Sequence, residues 1–202
     1  MAPKIKVPYE DIVNEGIQIV REKGPHAVNA RSVAARLGCS VQPIFRTFGT
    51  MEELKIAVLK RANKIYENAM EESLVRGGFS EMGLAYVNFA KNEKNLFKMM
   101  FMSNSLFVSN TTDASTQGSA AEIMGTTAGD DIVLSMLCDE TGLDAVKAKE
   151  LYTGLWFLLH GMASLIVCNS CTLSEDEIKR ILKNTCDGCV YVLNNGGEQR
   201  KK

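Results

Sequence analysis

The sequence predicts an all-α protein, with a short N-terminal three-helix domain followed by a longer C-terminal helical bundle. Three observations carry this. Apolar residues recur at spacings of three and four, only 4 prolines occur in 202 residues, and helix-capping and helix-stopping residues flank the periodic stretches. A hydrophobic fraction of 46% with 23% charged residues supports a packed core and excludes a disordered or fibrous chain.

The elements follow in order. After a basic arm at 1–7, a first helix is expected at 8–23, with Pro8 in its first turn, where a missing N–H costs nothing. Ile12, Gly16, Ile19 and Val20 share one face, and Gly24-Pro25 stops the helix. A second helix begins after Asn29, whose side chain can accept an orphan backbone N–H. It carries Val33, Ala34 and Leu37 inward and ends at Gly38. Cys39 and Ser40 leave only a very short turn, and Ser40 is placed to cap a third helix over 41–48. Thr50-Met51-Glu52-Glu53 reads as a capping box opening a long fourth helix to about Ser73, with Leu54, Val58, Ile65 and Ala69 inward. Further helices are expected at 80–93, 94–103, 119–140, 144–169 and 174–194, with a polar stretch at 103–118 and a frayed end from Asn194. The boundary lies in or after the fourth helix, near Arg76-Gly77-Gly78. The first domain is read as 1–53, the helix at about 50–73 as the link, and 54–202 as the second domain.

A net charge of -1 hides an asymmetry: residues 1–61 hold ten Lys/Arg against six Asp/Glu, and the remainder 13 against 18. A basic head on an acidic body suits a head that meets a polyanion. Residues 1–8 are polar and basic with no apolar stretch behind them, so no signal peptide is expected. No run approaches the roughly 18 apolar residues of a membrane span. The expectation is a cytoplasmic chain without a membrane partner, its six cysteines reduced.

Two short helices joined by Gly38-Cys39-Ser40 make a helix-turn-helix. The first of such a pair crosses the DNA backbone, and the second must fit a major groove about 12 Å wide. Glycine after Leu37 permits the left-handed conformation of a sharp turn. Ile44 and Phe48 anchor the third helix, leaving Val41, Gln42, Arg46 and Thr47 outward.

The run Asn29-Ala30-Arg31-Ser32-Val33-Ala34-Ala35-Arg36-Leu37-Gly38-Cys39-Ser40, then Val41-Gln42-Pro43-Ile44-Phe45-Arg46-Thr47-Phe48 and Glu52-Glu53-Leu54, resembles the tetracycline-repressor family over residues 8–60. The resemblance implies an all-helical homodimer that places one reading helix in each of two major grooves of a near-palindromic, double-stranded operator. It also implies DNA contacts from Arg31, Val41, Gln42, Phe45, Arg46, Thr47 and Lys55. Of these, Gln42 suits adenine and Arg46 guanine, while Arg31, Thr47 and Lys55, together with Arg36, suit phosphate. Phe45 and Met51 depart from the family, which usually has Tyr and Lys there, so a hydroxyl and an ammonium contact to phosphate are missing. Lys55 and the arm's Lys4 and Lys6 are candidates to compensate.

Residues 155–165 are apolar nearly all round, which demands burial on several sides. The Trp156-x-x-x-His160-Gly161 pattern is similar to a C-terminal subtype of the same family. That resemblance implies a four-helix dimer interface between this helix, the last helix and their copies, with Trp156, Gly161, Leu165, Ile178, Leu182 and Cys189 in it. His160 is one of two histidines; it reads either as a core residue bonded to a neighbour or as a polar ligand contact. No catalytic constellation is legible from spacing.

Phe97, Met99, Met100, Phe101, Met102, Phe107, Met124 and Met136 concentrate adaptable side chains between the fourth helix and the dimer helices. With family resemblance they suggest a pocket for a small apolar effector, lined by Tyr66, Tyr86, Phe89, Phe97, Met100, Phe101, Met124, Trp156 and His160; plain core is the other reading. Cys168-x-x-Cys171 and Cys186-x-x-Cys189 mimic a zinc ribbon. However, Cys186 lies roughly 18 Å along a helix that starts near Ser174, whereas zinc needs four sulfurs at about 2.3 Å. No metal and no cofactor are expected. The leading expectation is a ligand-responsive regulator, a repressor released by its effector. A thiol- or metal-responsive regulator of the same fold, and a helical binding protein or enzyme without DNA function, remain alternatives.

Overall fold

The computed structural model describes residues 7–102 and 130–195, and every regular element in them is helical. The arm with Lys4 and Lys6, the stretch holding Phe107 and Met124, and the tail from residue 196 lie outside the described residues. The elements are α1 (Tyr9–Lys23), a 3-10 turn (Pro25–Ala27), α2 (Ala30–Arg36), α3 (Val41–Thr47), α4 (Met51–Asn92) and α5 (Lys94–Phe97), which runs on into a π-helical turn (Lys98–Met102). After the undescribed stretch come α6 (Asp130–Thr141), α7 (Ala145–Val167) and α8 (Glu175–Asn195). The described residues fall into two compact units, one of 7–68 with 92–102 and the other of 69–91 with 130–195.

In the first unit, α1 contributes Ile12, Val13, Ile17, Ile19 and Val20 to a core shared with Val33, Ile44, Phe48, Leu54, Val58 and Ala62. Gly16 lets α1 lie close on α4, because a Cβ there would stand 2.5 Å from Val58 Cγ2. The end of α1 is tied to the start of α5. Arg21 donates to both carboxylate oxygens of Glu93 at 2.6 and 3.0 Å, and Asn95 donates to the Arg21 carbonyl at 2.9 Å. A two-pronged guanidinium–carboxylate pair fixes orientation as well as distance.

Within α4 the helix expected to end near Ser73 runs on to Arg76, and a second helix starts beyond the non-helical Gly77 and Gly78. Gly78 has φ 76°, a left-handed backbone suited to glycine, and the Phe79 N–H beyond it donates to Glu140 Oε1 at 3.1 Å. A side chain at Gly78 would collide with that carboxylate, its Cβ only 2.1 Å from Oε1. Glu140 thus supplies from α6 the acceptor that a restarting helix needs.

The second unit is built on α7, which packs against α6 and α8. Asp144 caps α7 by accepting from the Val146 and Lys147 N–H groups, both at 3.0 Å. The helix closes with Asn169 in the left-handed region, the Asn169 and Ser170 N–H groups returning to the Ile166 and Leu165 carbonyls. Ser174 and Glu177 form the capping box of α8, each side chain accepting the other's backbone N–H. Leu151, Leu155, Leu159, Met162, Ala163, Ile166 and Val167 form the inward face of α7.

Two expectations need correcting. Ile178 and Leu182, assigned to a seam between copies, are 0% and 2% exposed and fill the chain's own core. Leu182 lies so close to Gly83 that a Cβ there would meet its Cδ2 at 2.6 Å. Secondly, α7 is, among the described residues, the one helix long and apolar enough to cross a membrane, although no such run was expected.

Candidate functional site

The helix-turn-helix is assembled by local chemistry. Asn29 Oδ1 accepts the Ser32 N–H at 2.9 Å while the Asn29 N–H donates to Ser32 Oγ at 3.1 Å, a reciprocal cap that starts α2. At the other end, Gly38 turns the chain with φ 63°. The Gly38 and Cys39 N–H groups return to the Ala35 and Ala34 carbonyls at 3.4 and 3.0 Å, so the end of α2 is closed without a side chain. Ser40 occupies the cap position of α3 but makes no side-chain cap bond, contrary to expectation. At the head of α4, Thr50 Oγ1 accepts the Glu53 N–H at 3.2 Å as expected, and the Glu53 carboxylate takes the Gly49 N–H at 2.9 Å instead of that of Thr50.

These restraints leave α3 lying on the surface by one edge. Ile44 and Phe48 are 1% and 5% exposed, and the Tyr9 ring meets Phe48 at 5.1 Å. Val41, Gln42, Phe45, Arg46 and Thr47 are exposed, and so is Arg31 on α2. Lys55, in the second turn of α4, is half-buried. Thr47 donates its hydroxyl to the Pro43 carbonyl at 3.2 Å, which leaves Gln42 and Arg46 as the other exposed polar side chains of α3. Arg36, expected to suit phosphate, is engaged inside the head: it pairs with Glu15 and, at 2.8 Å, with Glu22, and the Glu15 bond foremost holds its pKa above the ordinary value. Residues 24–51 contain no Asp or Glu, so no carboxylate from this stretch opposes a polyanion at the exposed face.

The candidate effector residues divide between the units. Tyr66, Phe97, Met100 and Phe101 belong to the first, where Phe101 meets Tyr66 edge-on at 5.4 Å and Phe97 at 4.8 Å. Tyr86, Phe89, Trp156 and His160 belong to the second. There Trp156 and His160, one helical turn apart on α7, stack at 4.9 Å with 6° between their planes. The His160 Nδ1 and the buried Tyr86 hydroxyl are hydrogen bonded at 2.9 Å, and burial holds the imidazole below its ordinary pKa. This bond joins residues 74 apart, and spacing gave no sign of it. Met124 lies outside the described residues. An open groove on α6, lined by Asp131, Ile132, Ser135, Met136, Asp139 and Glu140, includes none of the nine candidates.

The outer side of α7 is an uncharged stripe of exposed Gly154, Phe157, Gly161, Leu165 and Cys168, at helical spacing. Phe157 and Leu165 are each 52% exposed, and on α8 Tyr191 and Val192 are 70% and 62% exposed. Trp156 and Cys189 are half-buried. Sequence reasoning missed Phe157 and Tyr191, since a helix apolar on every side gives no sign of which side its own chain covers. All six cysteines are free, and burial pushes the Cys186 thiol pKa up. Among the described residues no three His, Cys, Asp or Glu side chains stand together so as to hold a metal ion.

Residues 79–187, more than half of the sequence, match the family described as "tetracyclin repressor-like, C-terminal domain". The chain belongs to the tetracycline-repressor family. That makes it a transcriptional regulator by kinship and points away from an enzyme. The matched span runs from the Gly78 break to the middle of α8 and contains Trp156, His160 and the α7 stripe. It begins beyond the helix-turn-helix, so the head and the regulator's family are two independent observations. No curated protein matches the chain.

Proposed function

We propose that the protein is a ligand-responsive repressor, binding a near-palindromic operator as a homodimer and released by a small apolar effector. The reading is carried by the exposed face of α3, fixed by the Gly38 turn and free of carboxylates over residues 24–51. In it Gln42 and Arg46 address base edges, and Arg31 and Lys55 hold phosphates, the Thr47 hydroxyl being turned to the Pro43 carbonyl. Residues 1–53 are the DNA-binding domain, the link helix that follows closes its core through Leu54, Val58 and Ala62, and the effector and dimer domain lies beyond. The stacked Trp156 and His160 support assignment to the Trp-His-Gly subtype. The uncharged stripe on α7 supports a helix-to-helix seam between copies, with Trp156, Gly161, Leu165, Cys189 and, at the same spacing on α8, Val192 retained, and Phe157 and Tyr191 added. A cytoplasmic location follows, with the outer face of α7 covered by a second copy and not by lipid.

The effector must find a site better formed in the released state than in the DNA-bound one, and Tyr86, Phe89, Trp156 and His160, which share the second unit, are the candidates to line it. The Tyr86–His160 pair supplies a hydrogen-bonded polar point in a largely aromatic lining. Selection of bound duplexes from random DNA tests the whole reading. A two-fold symmetric site is expected, and Gln42→Ala and Arg46→Ala should each weaken binding about 5- to 100-fold, the range for loss of a base contact. Undiminished affinity in both variants would remove α3 as the reading helix.

A further inference from the structure

The helix α3 presents two parallel ridges, each formed by residues four apart: Gln42 with Arg46, and Val41 with Phe45. The second ridge is apolar yet stands outside the core, Val41 being 38% and Phe45 45% exposed, while Ile44 and Phe48 do the anchoring. It lies on a surface that carries exposed Arg31 and Arg46 and that no carboxylate of residues 24–51 opposes. Duplex DNA fits both features at once. Its phosphates match the cations, and the apolar group that its major groove offers is the 5-methyl of thymine. Phe45, with no hydroxyl to offer a phosphate, can make apolar contact only.

We propose that Val41 and Phe45 each read a thymine 5-methyl group in every operator half-site, alongside the bases addressed by Gln42 and Arg46. This rests on the DNA-binding reading above and deepens it: the operator is specified by methyl groups as well as by hydrogen bonds. Val41 and Phe45 stand about one helical turn apart, roughly 6 Å along the helix, so the two thymines lie close together within each half-site.

The experiment replaces each thymine of the selected operator, one at a time, by deoxyuridine, which removes the methyl and leaves the pairing edge intact. Affinity is measured for the unaltered protein, Val41→Ala and Phe45→Ala. At one position the replacement should cost the unaltered protein about fourfold, the worth of one buried methyl, and cost Phe45→Ala nothing. A second position should behave in the same way with Val41→Ala. Both variants should keep the melting temperature of the parent, since neither side chain belongs to the core. Half-sites without thymine under α3, or uracil penalties that are absent or equal in all three proteins, would overturn the proposal while leaving DNA binding in place. Failure to bind any duplex would overturn both readings together.

Discussion

At the scale of single residues, the helix-turn-helix depends on one backbone conformation. Gly38 sits at φ 63° with no atom within 4 Å of where a Cβ would be, so a substitution there meets no steric neighbour and only a backbone cost. Gly38→Ala should therefore lower unfolding stability by about 1 kcal/mol in urea titration, and a β-branched residue by more. This position was legible in the sequence because a glycine following a short amphipathic helix has few other uses. The partners of His160 were not, because they depend on which helices meet. Burial holds its pKa below 6.5, so the folded chain takes up this proton less readily than the unfolded chain. The stability contributed by the neutral ring is complete above that value and lost as pH falls through the lowered one. Melting temperature should fall as the pH is lowered from above 6.5, and fall less in His160→Gln. An identical drop in both proteins would place the titration elsewhere.

At the scale of elements, periodicity and punctuation gave the helices of the head closely, and the break after Arg76 was anticipated from paired glycines. What they could not give was the device at that break. The Glu140 carboxylate accepts the first N–H beyond it, and Gly78 leaves room for the oxygen. Gly78→Ala should displace the carboxylate and strain a left-handed residue together, a loss of about 2 kcal/mol from the two effects. Glu140→Ala should lose only the cap, about 1 kcal/mol, and chemical denaturation distinguishes the two. The last helix teaches the complementary lesson. Its apolar face was correctly seen, but the chain's own core covers the N-terminal half with Ile178 and Leu182, leaving Tyr191 and Val192 uncovered. An apolar pattern says that something covers a face; whether that is the same chain or another copy depends on tertiary packing.

At the scale of the whole molecule, α7 belongs to two contexts. Its inner residues complete the second unit, and its outer stripe of Gly154, Phe157, Gly161, Leu165 and Cys168 carries no charge. A stable dimer buries on the order of 1,200–2,000 Å², so the proposed seam needs more surface than this stripe, and the exposed Tyr191 and Val192 of α8 are candidates to supply it. Leu165→Asp puts a charge into that stripe at a half-exposed position, outside the core. Light scattering should show monomer where the parent is a dimer, and operator affinity should fall steeply, because a single head loses its linked partner. A dimer unaffected by Leu165→Asp would move the interface off α7.

The pairing of Arg36 with Glu15 and Glu22 has a consequence for how the protein responds to electrolyte. A cation already matched by two carboxylates displaces no condensed counterions from the double helix. Each phosphate contact made by an unmatched cation contributes about 0.9 to the slope of log affinity against log salt. Arg31→Gln should accordingly flatten that slope by nearly two across a symmetric pair of heads. Arg36→Gln should leave the slope as it was and show itself as a looser attachment of α2 to α1.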